Sequence, residues 1–276
     1  MICLAKSLVA FASANNILGK FMKVISLNVN GIRSGIKKGL IPWLLAEKAD
    51  VICLQEIKCD TEQFIEAAKA LKDYHLASYC AVKKGYSGVA IFSLKKPDQI
   101  HTGLGWEPCD EEGRYLQADF ADLSIASIYL PSGSAGPHRQ EKKFSFMEKF
   151  AEDLARMQKD GRRYILCGDW NIVRSELDIK NWKSNQKNSG CLPEERIWMN
   201  AVFDRFNFID VYRELHPNKV AYSWWSQRGQ AFANDVGWRI DYQITSHNLK
   251  NKLCTLDMLR EPKFSDHAPL IATYDL

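Results

Sequence analysis

Long apolar runs are missing from this 276-residue chain. No stretch approaches the roughly 18–20 consecutive apolar residues that cross a bilayer, which excludes a protein anchored by membrane-spanning helices and argues against a membrane partner. Cysteines at zinc or dithiol spacing are missing too: the eight cysteines form no CxxC, so neither a zinc ribbon nor a thioredoxin-type motif is present. Several lie inside apolar runs, Cys53 in VICLQ and Cys167 in YILCG. The set reads as reduced, buried thiols of a cytoplasmic protein, not as a disulfide framework. There is no tandem repeat, no low-complexity tract and no Pro/Gly/Ser-rich linker, hence no sign of a second domain. No Walker loop, no GxSxG and no recognisable Cys–His frame occurs. Nor is charge of one sign in large excess. A net charge of +4 is too mild to identify a polyanion partner, because a cluster of metal-binding acids would offset a basic face.

What is present is ordinary for a globular protein, 46% hydrophobic and 25% charged residues, in a chain long enough to bury a sizeable core. Residues 1–21 combine a lone Lys6 with a short apolar stretch and a few small residues, a poor signal peptide. They are expected to be a leader outside the fold, with a translation start at Met22 as the alternative. Residues 22–276 are expected to form one domain. β-Branched and apolar runs predict strands over 24–29, 51–54, 74–81, 88–93, 115–120, 124–130, 164–167, 222–225, 238–245 and 270–274, with a hairpin turn at Ala121-Asp122. Helical spacing marks 40–48, 61–71 (with an N-cap candidate at Thr61), 138–158 and 193–206, where Pro193 suits a first turn. Many strands with intervening helices, out of clean βαβ order, predict an α+β or layered α/β protein.

The polar residues of interest follow the strands. SLNVNG offers Asn28 and Asn30, LQEIK offers Gln55, Glu56 and Lys58, and IYLPSG offers Tyr129. CGDWN offers Asp169 and Asn171, GWRIDY offers Trp238, Arg239 and Asp241, and SDHAP offers Ser265, Asp266 and His267. A single Asp or Asn after a strand is usually a turn former. Several at the ends of buried strands point to a gathered site. Carboxylates and amides are hard oxygen ligands, suited to Mg²⁺ or Mn²⁺ rather than Zn²⁺. Together with an imidazole they fit phosphodiester hydrolysis, which uses a metal, a positioned water and a group on the phosphoryl oxygens. Period-two geometry predicts that Asp169 and Asn171 point the same way, that Asp266 and His267 point apart, and that Trp238 and Ile240 share a face opposite Asp241. A twist or bulge must intervene if Trp238 and Asp241 line one site.

Taken in order, LNVNG, LQEIK, CGDWN, GWRIDY and SDHAP resemble the exonuclease III/apurinic–apyrimidinic endonuclease family, within the endonuclease–exonuclease–phosphatase fold, from about Met22 to Leu276. The resemblance implies a four-layered α/β sandwich of two mixed β-sheets packed face to face, with helices on the outer faces. It implies a Mg²⁺-dependent hydrolase, with Mn²⁺ as the alternative, acting 5′ to abasic sites in double-stranded DNA, with 3′–5′ exonuclease activity and 3′-phosphatase or phosphodiesterase activity on blocked 3′ ends, as a monomer. Carried over, Glu56 is the principal metal carboxylate and Asn28 an amide that helps set the metal. Asn30, also in the metal set, stands where some relatives have Asp. Asp169 orients the attacking water, and Asn171 holds the scissile phosphate. His267 contacts the phosphate and joins the metal set with Asp169, Asn171 and Asp266, while Asp241 fixes its imidazole. Tyr129 meets the phosphate or leaving oxygen. Trp224, Trp238 and Ile240 form the slot for a flipped abasic sugar, which is cheapest to extrude where the base is already gone.

The chain departs from the family at Ser132, where relatives carry an amide, and in GSAGPH, which lacks an arginine that some insert into DNA. Lys83, Lys84, Lys95, Lys96, Lys142, Lys143, Lys180, Lys183 and Lys187 are candidate phosphate contacts, with 174–190 the best candidate for a DNA-facing loop. The alternatives are another phosphoester on the same chemistry, a nonspecific nuclease or a phospholipid or inositol phosphatase, and a catalytically silent DNA-binding protein.

Overall fold

The structure is a computed structural model that describes residues 21–276; residues 1–20, nearly all of the expected leader, lie outside the described residues. Phe21 opens the first strand and pairs with Asp275, so the described fold begins one residue ahead of Met22. Chain order is β1 (Phe21–Asn28), α1 (Ile32–Lys37), α2 (Leu40–Glu47), β2 (Val51–Gln55), α3 (Thr61–Ala68), β3 (His75–Tyr79), β4 (Val89–Ser93), β5 (Gln99–Thr102), β6 (Tyr115–Phe120), β7 (Leu123–Tyr129), α4 (Pro137–Lys159), β8 (Arg163–Asp169), α5 (Trp182–Asn185), α6 (Pro193–Asp204), β9 (Phe208–Asp210), α7 (Val211–Leu215), β10 (Trp224–Trp225), β11 (Gly237–Trp238), β12 (Asp241–Ser246), β13 (Leu253–Met258) and β14 (Leu270–Asp275).

Two six-stranded sheets form, in the orders β13-β14-β1-β2-β4-β3 and β5-β6-β7-β8-β12-β9, with β10-β11 as a separate two-stranded ribbon. Each large sheet is mixed: β1 runs parallel to β2 and β7 to β8, while the other pairs are antiparallel. Side-chain alternation then builds the layers. In β1 and β2, Ile25, Leu27, Ile52 and Leu54 face outward and are covered by Leu40 and Leu44 of α2 and Phe64 of α3. Val24, Val51 and Cys53 face inward, against Leu116, Ile125, Ile165 and Cys167 of the second sheet. The outer face of that sheet carries Ile128, Leu166 and Ile244 beneath Phe146 and Phe150 of α4 and Met199 of α6. The expected sandwich, helix–sheet–sheet–helix, is the fold observed.

Local chemistry accounts for the element ends. The hairpin turns at Ala121-Asp122 with Ala121 at φ 52°. The cap of α3 is Asp60, not Thr61; its carboxylate accepts the Gln63 N–H at 2.9 Å. The expected strand 238–245 is two pieces, β11 and β12, interrupted at Arg239 and Ile240. The seven described cysteines are all free; five are buried, but Cys80 is half-buried and Cys254 is exposed. Among the described residues no helix is long and apolar enough to cross a membrane.

Candidate active site

Inward-facing positions at one edge of the sandwich run out of hydrophobic residues, and the site is built there. Asn28 ends β1, Gln55 ends β2, Tyr129 ends β7, Asp169 ends β8 and Asp241 begins β12 directly opposite Asp169. Beneath them, the Gln55 amide donates to Ser127 Oγ across the sheet interface at 2.9 Å, and Ser127 Oγ donates to the Leu54 carbonyl. The edge thus turns polar with the Gln55 amide nitrogen and the Ser127 hydroxyl paired, while Gln55 Oε1 is buried without a partner among the described residues. Glu56, one residue past β2, has φ 51°, a conformation that costs a non-glycine residue energy and turns its carboxylate into the cleft.

The side chains converge. Asn28 Nδ2 donates to both Glu56 Oε1 and Asp169 Oδ2 at 2.9 Å. One donor atom each from Glu56, Asp169 and His267 lies within 4.8 Å of the others. His267 Nδ1 meets Asp241 Oδ2 at 2.9 Å, and its Nε2 lies 3.9 Å from Asp169 Oδ2. Asp266 lies in a bend rather than a strand, and it and His267 both line the cleft; its carboxylate accepts from Asn30 Nδ2 at 2.8 Å and Trp224 Nε1 at 3.1 Å. Both ends of the Asn30 amide are occupied, since Lys58 Nζ donates to its Oδ1 at 2.5 Å. Asn171 reaches the cleft by an unexpected route. It sits at φ 52° beyond the strand, and its N–H bonds Asp169 Oδ1 at 2.9 Å, so an Asx turn aligns the two side chains instead of strand alternation. Tyr129 faces Glu56, with the Arg114 guanidinium stacked 4.7 Å above its ring.

Burial and neighbouring charge set the protonation states. Burial, reinforced by the carboxylates of Asp241 and Glu56, pushes Asp169 up to about 8, against the opposing pull of His267. Burial alone would lower His267, but Asp241, Asp169 and Asp266 outweigh it and raise the imidazole to about 10. Burial would raise Glu56 as well; Lys58, whose Nζ lies 2.5 Å from Oε2, and the Asn28 and Tyr129 hydrogen bonds hold it below the usual range. Burial, with Glu56 next, keeps the Tyr129 hydroxyl protonated. Two hard carboxylates facing one point suit a divalent ion of the Mg²⁺ type; Asn28 aligns them through its Nδ2, while its Oδ1 turns away to accept the Asn30 N–H at 2.9 Å. The imidazolium beside them, with Nδ1 committed to Asp241, suits an anionic oxygen.

Trp224, Trp238 and Ile240 form the apolar wall of the same cleft, whose volume is about 740 Å³. Trp224 pairs with Trp238 in the ribbon, their rings edge to face at 6.1 Å. The interruption at 239–240 lets Trp238 and Asp241 serve one site despite their spacing. Other expectations change. Lys143 is completely buried and does not face solvent. Lys95 and Lys96 follow Ser93, which pairs with Val51 at the start of β2, the opposite edge from Glu56. Lys187 does line the cleft, together with Asn188, Ser189 and the exposed Arg228. Sequence reading missed Ser223, whose Oγ donates to Asp241 Oδ2 at 2.7 Å and accepts the N–H groups of Ile240 and Asp241. A serine just ahead of an aromatic strand carries no signal of that role. It also left Lys58 without a task, although LQEIK places it two residues from Glu56.

A four-layered sandwich with an acidic, imidazolium-bearing cleft at one edge defines a metal-dependent phosphoester hydrolase. The chain belongs to the endonuclease/exonuclease/phosphatase family, whose description matches residues 25–267. It is 37% identical to a Bacillus subtilis exodeoxyribonuclease over 90% of this chain and 98% of that one. It superposes on an AP endonuclease from Archaeoglobus fulgidus with a TM-score of 0.84 and 29% identity, covering 92% of this chain and all of the other. A variant of the 3′ phosphatase NExo from Neisseria, solved with a product DNA hairpin, superposes with a TM-score of 0.83 at 27% identity, covering 92% and 100%.

Proposed function

We propose that this protein is a DNA repair nuclease that hydrolyses the phosphodiester 5′ to abasic sites in duplex DNA and trims blocked 3′ ends, with Mg²⁺ as its ion and Mn²⁺ as the alternative. The observation that carries the reading is the meeting of Glu56, Asp169 and His267 beside the Trp224–Trp238–Ile240 wall. Glu56 and Asp169, with Asn28 and Asp266 in support, would hold the ion, which supplies Lewis-acid charge at the phosphoryl oxygens. Asp169, once ionised, orients and deprotonates the attacking water. Asn171 and the His267 imidazolium hold the phosphate, and Asp241, anchored by Ser223, keeps that imidazole charged and aimed. On this reading His267 serves the phosphate and leaves the ion to the carboxylates, because both of its nitrogens carry protons. Tyr129, protonated, stabilises the leaving oxygen. A dry aromatic slot admits a sugar without a base and excludes an intact nucleotide. Free, buried thiols suit the reducing cytoplasm, and the cleft is complete within one chain, so we assign a monomer.

The test is incision of a duplex carrying one tetrahydrofuran abasic analogue, compared with a 3′-phosphate nick and an intact blunt duplex, with Mg²⁺ and with EDTA. Incision at the analogue that EDTA abolishes is expected. Asp169→Asn should lose roughly 10²- to 10⁴-fold in rate while keeping its affinity for DNA. Full activity in that variant overturns the role of Asp169, and equal rates on intact and abasic duplex point to a nonspecific nuclease.

A further inference from the structure

Lys143 and Glu195 are both completely enclosed and pair at 2.6 Å, yet neither lines the cleft. A buried ion pair is weak as a source of stability, since two apolar side chains of the same volume do as well or better. What this pair does that apolar residues cannot is hold backbone. Lys143 Nζ, reaching down from α4, donates to the Asn171 carbonyl at 2.7 Å. Glu195 Oε2, at the start of α6, accepts the N–H groups of Gly190 at 2.6 Å and Leu192 at 3.0 Å, and its Oε1 accepts from Gln140 Nε2 of α4 at 3.0 Å. Both segments so held belong to the cleft. Asn171 is in the left-handed region, which its own sequence does not enforce. Gly190 fits only because it lacks a side chain: at φ 90°, a Cβ there would stand 3.0 Å from the Asn171 carbonyl and 3.1 Å from the Trp238 ring. The pair therefore sits behind the point where the catalytic end of β8 and the recognition wall touch.

We infer that Lys143 is a positioning residue, which through Glu195 clamps Asn171 and the 188–192 wall in register so that the Asn171 amide meets the phosphate. The inference rests on the nuclease reading above. It is tested by a double-mutant cycle in single-turnover cleavage of abasic duplex with Mg²⁺, combining Lys143→Met/Glu195→Gln with Asn171→Ala. DNA affinity is measured alongside in EDTA. Glutamine at 195 keeps an acceptor for Gly190 and Leu192 while the contact to Asn171 is lost. The pair variant should lower the cleavage rate roughly 10- to 100-fold, the cost of a misplaced reacting group, with affinity changed less than about twofold. In the Asn171→Ala background it should cost less than about twofold more. An unchanged rate, the same fold-loss in both backgrounds, or a loss confined to affinity overturns the clamp. Should the pair variant not fold, Lys143→Met alone, which removes the contact to the Asn171 carbonyl and leaves Glu195 to take up a proton, enters the same cycle under the same criteria. A wild-type protein inert on every DNA substrate overturns the nuclease reading first.

Discussion

Asp169 is enclosed between Asn28, Glu56 and Asp241, and its hold on a proton follows from that company: burial and two neighbouring carboxylates push it up to about 8. A carboxyl whose folded value exceeds its unfolded one near 3.9 favours the fold when protonated. Its contribution is therefore lost as pH rises between those two values. Asp169→Asn removes the charge and keeps the shape. Without metal, the variant should melt a few degrees above wild type at pH 9, and the gap should narrow as pH falls below about 8 and close only near about pH 4, where Asp169 is protonated in the unfolded chain as well. Equal melting temperatures at pH 9, by calorimetry in EDTA, would contradict the assigned protonation. Ser223 works in the opposite sense. It makes three hydrogen bonds around Asp241, so Ser223→Ala should cost about 1–3 kcal/mol in denaturant unfolding by orphaning buried partners. It should also lower the cleavage rate by freeing the His267 partner to turn. A rate that survives the stability loss intact would reduce Ser223 to a structural residue.

Among the elements, β8 shows most directly how packing and catalysis share residues. Gly168, just before Asp169, allows β7 and β8 to approach: a Cβ on it would fall within a bond length or so of the Ile128 carbonyl, at 1.9 Å. Gly168→Ala must push the strands apart at the position where Tyr129 and Asp169 pair. A loss of about 1–3 kcal/mol is expected in denaturant titration, with activity falling further than stability; wild-type values for both would show that the approach is not required. The inward and outward faces of β1, β2, β7 and β8 were legible as apolar runs, and α4 as a stripe, because burial writes a period into sequence. Asn28, Glu56 and Asp169 were legible because polar residues at the ends of such runs break the pattern, whereas His267 was legible only through its SDHAP motif. Less was written at the joints. Neither the break at Arg239-Ile240 nor the left-handed Glu56 and Asn171 follows from local propensity; tertiary hydrogen bonds impose them. Lys143 misled for the same reason, since a lysine on an amphipathic helix normally reaches water and this one finds Glu195 across the helix–helix interface.

Over the whole molecule the net charge of +4 hides an uneven distribution. Glu56, Asp169 and Asp266 crowd the base of the cleft, while Lys187 and Arg228 stand exposed at its rim. A phosphate entering that base meets His267 as an imidazolium and Lys58 against as many as three carboxylates. Without a divalent ion the balance turns unfavourable once Asp169 loses its proton. Metal binding and proton release are therefore linked, and DNA affinity inherits the linkage. Anisotropy with an abasic duplex in EDTA should show affinity falling from pH 6 to pH 9 as Asp169 ionises around 8. The same titration with Ca²⁺, a hard cation of equal charge, should show tighter binding at pH 9, with the advantage over EDTA shrinking toward pH 6, where protons occupy Asp169 in its place. Salt should weaken both series through the rim cations and narrow the pH-dependent gap less, because an enclosed cleft is poorly screened. An advantage of Ca²⁺ that is the same at pH 6 and pH 9 would mean that Asp169 is not the group at which proton and metal compete.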